Sequence, residues 1–136
     1  MTKDPRVYLA HILERADRIQ AYLLDGEDVF MRDTKTQDAV IRNFEVIGEA
    51  AKRVPTDFRA EHPSVPWQLM PGFRDVLIHG DEGVDMARVW SAATRDLPAV
   101  RSAIAAILPP LDQLERELAG ETDDDVAKND ASPLKR

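Results

Sequence analysis

Cysteine is absent from the 136 residues. That excludes disulfides, thiolate metal ligands and a cysteine nucleophile. Aromatic residues make up only 6%, so a core must be built mostly from Leu, Ile, Val and Ala. No apolar run approaches the ~20 residues that a membrane span needs. The opening Met1-Thr2-Lys3-Asp4-Pro5 lacks the basic-then-apolar layout of a secretory signal. The six glycines are scattered, so there is no glycine-rich phosphate loop. No His-x3-His pair and no cluster of histidines with carboxylates is written into the chain, which argues against a metal centre. No cofactor is expected. Ser64, Ser91, Ser102 and Ser132 sit in no nucleophile-elbow motif. These absences leave a soluble cytoplasmic protein without membrane association as the expectation.

What is present is 43% hydrophobic and 32% charged, enough for a single core. The formal net charge is −7. Residues 112–136 hold eight acids and four bases, which leaves −3 for residues 1–111. An acidic chain is a poor non-specific ligand for duplex DNA, whose binding is driven by phosphate neutralisation. A small site that reads one phosphate locally remains compatible with it.

The dominant pattern is helical. Leu9, Ile12, Leu13, Ala16, Ile19 and Leu23 recur at spacings of three and four, which predicts an amphipathic helix from about Asp4 to Leu24. Glu27–Met31 reads as one turn. A second long helix runs from Asp33-Thr34 to Val54-Pro55 and carries Val40, Phe44, Ile47, Gly48 and Ala51. Gly48 inside it predicts close approach by a neighbouring helix, since glycine there costs about 1 kcal/mol relative to alanine. A short helix follows around Asp57–Ala60. Pro66-Trp67 opens another, with Trp67, Met70 and Phe73 inward and Gly80 and Gly83 at its end. Asp85 reads as the N-cap of a helix that kinks at Leu97-Pro98 and stops at Pro109-Pro110. Leu111, Leu114 and Leu118 predict a weakly packed extension. The expectation is an all-α bundle of four to six helices over residues 1–111, with residues 112–136 a weakly helical and then disordered acidic tail.

Candidate chemistry is sparse. His11 reads as a surface histidine and His62 as a turn residue. His79 differs, because it falls near a predicted helix end with Arg74 five residues earlier. An imidazole moves protons near neutral pH, and a guanidinium holds a phosphate through paired donors. Together they suffice for metal-free RNA cleavage. Five helical residues, however, separate side chains by roughly 140° and about 7.5 Å. Either the helix breaks before His79, or two copies of the motif face each other across a dimer. Asp75 is the helical i,i+4 neighbour of His79, which offers a purely structural Asp–His pair.

The chain resembles the HepT-like branch of the HEPN ribonuclease superfamily. The matching stretches are Tyr8-Leu9-Ala10-His11-Ile12-Leu13, Thr36-Gln37-Asp38-Ala39-Val40-Ile41-Arg42-Asn43 and Ile47-Gly48-Glu49-Ala50-Ala51-Lys52-Arg53. Val65-Pro66-Trp67, Gly72-Phe73-Arg74-Asp75-Val76-Leu77-Ile78-His79, Gly83-Val84-Asp85 and Val89-Trp90 continue it, so that it covers roughly residues 4–108. The resemblance implies the toxin of a type VII toxin–antitoxin pair, a metal-independent endoribonuclease and a homodimer with R-x4-H motifs lining the interface cleft. It implies as partner an MntA-like nucleotidyltransferase antitoxin that adds AMP to a tyrosine two residues after the motif histidine. By position, Arg74 is then the phosphate-binding cation and His79 the acid/base, with Arg42 and Asn43 as RNA-binding or cleft-supporting residues. Two departures stand out: Asp75 replaces the family's usual asparagine, and Asp81 occupies the place of the acceptor tyrosine. They keep open an alternative, a non-catalytic module of the same fold that pairs with a nucleotidyltransferase. The other polar residues have structural readings: Asp38 pairing with Arg42, Glu49 in an interhelical hydrogen bond, Lys52 and Arg53 at a helix C-terminus, Trp67 and Trp90 as anchors.

Overall fold

Asp4 opens the first helix in the way its side chain allows, by accepting from the Arg6 N–H at 2.9 Å ahead of Pro5. A computed structural model describes residues 4–77 and 83–120, and every regular element among them is helical. The first, α1, spans Pro5–Tyr22 and buries Leu9, Ile12, Ala16 and Ile19, the predicted stripe. The chain then turns at Gly26, whose φ of 94° is open to glycine and strained for other residues. α2 (Glu27–Arg32) is short and points Phe30 inward. α3 (Thr34–Lys52) is capped by Asp33, which accepts from the Lys35 N–H and the Thr36 hydroxyl.

α1 and α3 pack along most of their lengths, with Val40, Phe44 and Ile47 fully buried on the α3 side. Burying each such side chain contributes about 1.5–3 kcal/mol. α4 (Thr56–Glu61) follows the Val54-Pro55 break. A single 3₁₀ turn, Trp67–Leu69, then leads into α5 (Met70–Asp75). The helix predicted from Trp67 to Gly80 is therefore divided at its start and is short. Pro71 has no N–H for the Trp67 carbonyl, so the Met70 N–H takes that carbonyl in a tighter bond. At the other end the Leu77 N–H turns back to the Arg74 carbonyl at 3.0 Å, which closes α5. Gly72 lies inside α5 and does not divide it.

α6 (Met86–Ser91) starts at Asp85, which caps it through the Ala87 N–H as expected. The expected kink is a π-helical turn at Ala92–Asp96 that joins α6 to α7 (Leu97–Ile107). Pro98 offers no N–H to the Thr94 carbonyl, and the Leu97 N–H reaches back five residues to Ala92 instead. Leu97, Val100 and Ile104 complete the core against α1.

The last helix, α8 (Leu111–Leu118), stands where the extension was expected, with Leu111 65% exposed. Leu114 is 1% exposed, and the Arg6 Nη1 donates to Glu117 Oε1 at 2.7 Å, tying α8 to the start of α1. The expected acidic tail beyond Gly120 lies outside the described residues. No helix among those described is long and apolar enough to cross a membrane.

Arg6 joins Asp4 and Glu117 into one ionic knot. Hydrogen bonds from Arg6 hold both carboxyls below the usual carboxylate range. A depressed carboxylate stabilises the fold above its unfolded pKa and loses that contribution as pH falls through the folded value. Amide-exchange protection of α8 should therefore be flat from about pH 7 to 5 and fall below about pH 4. Glu117→Gln should lower protection at neutral pH and flatten that fall; an unchanged profile would show that the knot does not dock α8.

Candidate functional site

Met70, Phe73 and Val76 form one buried face at spacings of three, and that face seats α5 on α3. The Phe73 ring lies 5.4 Å from that of Phe44, centroid to centroid. This anchoring decides where Arg74 goes. Its aliphatic stem crosses α3 directly over Gly48, and a Cβ built at Gly48 would collide with Arg74 Cγ and lie 2.8 Å from its Cδ. The close approach predicted at Gly48 is thus made by a side chain of the neighbouring helix.

Beyond Gly48 the guanidinium emerges to solvent, with Arg74 Nη1 3.5 Å from Glu49 Oε1. The Arg74 side chain is 43% exposed and that of Glu49 55%. Glu49 was expected in an interhelical hydrogen bond; its contact with Arg74 is a 3.5 Å ion pair instead. Arg74 forms a ridge between two open concavities. One, of about 430 Å³, is lined by Gly48, Ala51, Lys52, Arg59, Met70, Pro71, Arg74 and Asp75. The other, of about 470 Å³, is lined by Arg42, Glu45, Val46, Glu49, Arg74 and Leu77.

The sequence-derived candidates are distributed as follows. Arg74 and Arg42 share the second concavity. Arg42 pairs with Glu45 at 3.3 Å, in place of the expected Asp38. Asn43 is 4% exposed; its amide donates to the Ala39 carbonyl and its oxygen accepts from Arg15. It lines neither concavity. His79 and Asp81 lie outside the described residues. α5 ends at Asp75, before both.

Two cations were not singled out as site residues by sequence: Lys52 and Arg59. Lys52 lies in the last turn of α3 and Arg53 is its C-cap, as expected, and Arg59 hydrogen-bonds the chain there, donating to the Ala51 and Val54 carbonyls at 2.7 and 3.2 Å. Its guanidinium also lies 5.9 Å from the centre of the Trp67 ring. Trp67 is fixed in turn by a hydrogen bond to the His62 carbonyl, and Trp90 packs on Phe30. Both tryptophans are structural anchors. His11 is exposed beside a third, more capacious groove of about 1080 Å³ between α1, α7 and α8. That groove is largely apolar, and its cations Arg18 and Arg101 are paired with Glu14 and Asp17. The Arg74 ridge, despite its smaller hollows, gathers the cations Arg42, Lys52, Arg59 and Arg74. Among the described residues no group of three or more His, Asp or Glu side chains is placed to hold a metal ion.

The family profile described as ribonuclease HepT-like matches residues 12–107. A Methanocaldococcus jannaschii protein, named a gamma-glutamylcyclotransferase and provisionally an RNase, is 40% identical over 114 residues, 83% of this chain and 51% of that protein. The chain thus spans about half the length of that relative. A probable ribonuclease HepT of Thermococcus cleftensis is 41% identical over 103 residues, 74% of this chain and 93% of that protein. A Caldanaerobacter subterraneus protein provisionally named an RNase is 36% identical over 110 residues, 78% of this chain and 96% of that one. No solved structure gives a significant match.

Gly48→Ala separates helix stability from the placement of Arg74. The substitution removes about 1 kcal/mol of helix cost but fills the space of the Arg74 stem. The expected outcome is retained helicity with a thermal midpoint within a few degrees, together with a shifted Arg74 Nε resonance. An unmoved Arg74 resonance would show that the contact does not steer the guanidinium.

Proposed function

The chain belongs to the ribonuclease HepT-like family of the HEPN superfamily, and on that premise we propose that it is a metal-independent endoribonuclease and the toxin of a type VII toxin–antitoxin pair. The observation that carries this reading is the Arg74 guanidinium, seated over Gly48 and presented to solvent between two concavities. Such a group donates paired N–H bonds to the non-bridging oxygens of a phosphodiester. His79 takes the proton from the adjacent ribose 2′-OH. The 2′-oxygen then attacks phosphorus, the P–O5′ bond breaks, and the leaving oxygen takes up a proton. The products are a 2′,3′-cyclic phosphate and a 5′-hydroxyl. Arg74 stabilises the negative charge that concentrates on phosphorus-bound oxygens in the transition state.

A homodimer that brings two R-x4-H motifs to one cleft is part of this reading, as is an MntA-like nucleotidyltransferase antitoxin. Asp75 and Asp81 favour a second reading, a binding module of the same fold that pairs with the nucleotidyltransferase without cleaving RNA. Asp75 adds negative charge beside Arg74, where a phosphate must approach, and an aspartate at position 81 provides no phenol for AMP.

Arg74→Ala and His79→Ala should each lower RNA cleavage by about 100-fold or more, in the presence of EDTA, with the helical circular dichroism unchanged. Cleavage that survives in both variants, or products without a cyclic phosphate, would overturn the RNase assignment. Equal growth on induced expression of the intact chain and of an accumulating His79→Ala variant would favour the binding module. Co-expression with an MntA-like enzyme should leave position 81 without an AMP adduct by mass spectrometry; an adduct on Asp81 would refute that expectation.

A further inference from the structure

The two concavities flank Arg74 along one face of α3. Arg42, Glu45, Glu49 and Lys52 follow one another at helical spacings on that face, and Arg42 to Lys52 spans about 15 Å along the axis. Arg74 crosses between them at Gly48 and Glu49. A strand whose scissile phosphate sits at Arg74 must therefore leave over one hollow or the other. The hollow on the Lys52 side is the more cationic, lined by Lys52, Arg59 and Arg74 against the single carboxylate of Asp75.

Its walls are also the better fixed. Arg59 places two of its guanidinium donors on the Ala51 and Val54 carbonyls and lies over Trp67, so its charge is held in place before any ligand arrives. Lys52 is exposed, with Nζ 4.0 Å from Glu49 Oε1, a separation too long for a hydrogen bond. A weak exposed pair of this kind contributes little and yields readily to a phosphate. The Arg74 stem covers Gly48, and beside it Ala51 carries only a methyl group, so the hollow of about 430 Å³ stays open between Lys52, Arg59 and Arg74.

From these features we infer that the Lys52–Arg59–Arg74 hollow is a second phosphate subsite, which takes the backbone phosphate next to the one held at Arg74. Single-stranded RNA is its ligand class, and the inference rests on the RNA reading given above. Lys52 is a binding residue here, and its loss acts on affinity rather than on the chemical step.

The test is binding of a fluorescein-labelled oligouridylate by fluorescence anisotropy across a salt series, using the intact chain, Lys52→Ala and Lys52→Arg, alongside RNA cleavage kinetics. Lys52→Ala should weaken binding by about 5- to 10-fold and reduce the log–log salt slope by about 0.7, the value for one lost phosphate contact on a single strand. Lys52→Arg should restore most of both. In cleavage, Lys52→Ala should raise KM with kcat nearly unchanged. If the intact chain binds and cleaves RNA while Lys52→Ala matches it in affinity, slope and KM, this subsite is overturned and the RNase reading stands. If the intact chain binds without cleaving and Lys52→Ala still loses affinity and slope, the subsite is supported and the RNase reading fails. Absence of any RNA binding by the intact chain would overturn both.

Discussion

A missing side chain at position 48 is what allows Arg74 to be where it is. The arginine stem occupies the volume that a Cβ on α3 would fill, so the separation of α3 and α5 and the exit direction of the guanidinium are set by one contact. A free arginine carries about 2 kcal/mol of rotamer entropy. Laying its methylenes against backbone removes part of that freedom during folding instead of during ligand capture, which is the sense in which the site is pre-organised. Phe73 supplies the complementary constraint, since its full burial against Phe44 fixes the register of α5 from the residue next door.

Glu49 at first looks like a competitor for the phosphate. Magnitudes say otherwise. The Arg74–Glu49 pair is 3.5 Å apart with both side chains about half exposed, and such pairs contribute between 0 and about 1 kcal/mol. A guanidinium on a phosphate forms shorter, paired, charge-assisted bonds that are roughly twice as strong as neutral ones. Glu49 is thus strong enough to bias the orientation of an otherwise mobile group and too weak to hold it against an incoming phosphodiester. The Arg42–Glu45 and Lys52–Glu49 pairs on the same face are of the same kind.

The long periodic segments α1 and α3 were legible because burial of one apolar stripe decides them, and Leu9 through Ile19 announce that stripe without help from the rest of the chain. Gly48 was legible as a point of close approach for the same reason: glycine has no local use inside a helix. What approaches it was not, because contact between Arg74 and Gly48 depends on how α5 docks, and α5 is bounded by effects that act over one turn, the missing N–H of Pro71 and the Leu77-to-Arg74 bond. Arg59 was opaque for a related reason. Its two hydrogen bonds reach carbonyls five and eight residues back, around the Val54-Pro55 corner, and no periodic pattern encodes a contact made across a turn. The bond from Arg6 to Glu117 was not legible either, because it joins residues 111 positions apart and no periodic pattern encodes it.

A net charge of −7 and an RNA-binding role are compatible only if the decisive charges act at short range. At physiological ionic strength the Debye length is about 8 Å, so acids elsewhere on the surface are largely hidden from a strand lying on the α3–α5 face. On that face the cations Arg42, Lys52, Arg59 and Arg74 stand against Glu45, Glu49 and Asp75, and all three carboxylates are in exposed or half-exposed positions where water weakens their repulsion. The balance is close enough that one carboxylate matters. Asp75 borders the Lys52 hollow next to Arg74 itself, and a charge at such range in water-like surroundings is worth about 1 kcal/mol. Under the RNA reading proposed above, affinity on this face would be set by the contest between Asp75 and the cations around it, and not by the charge of the chain as a whole.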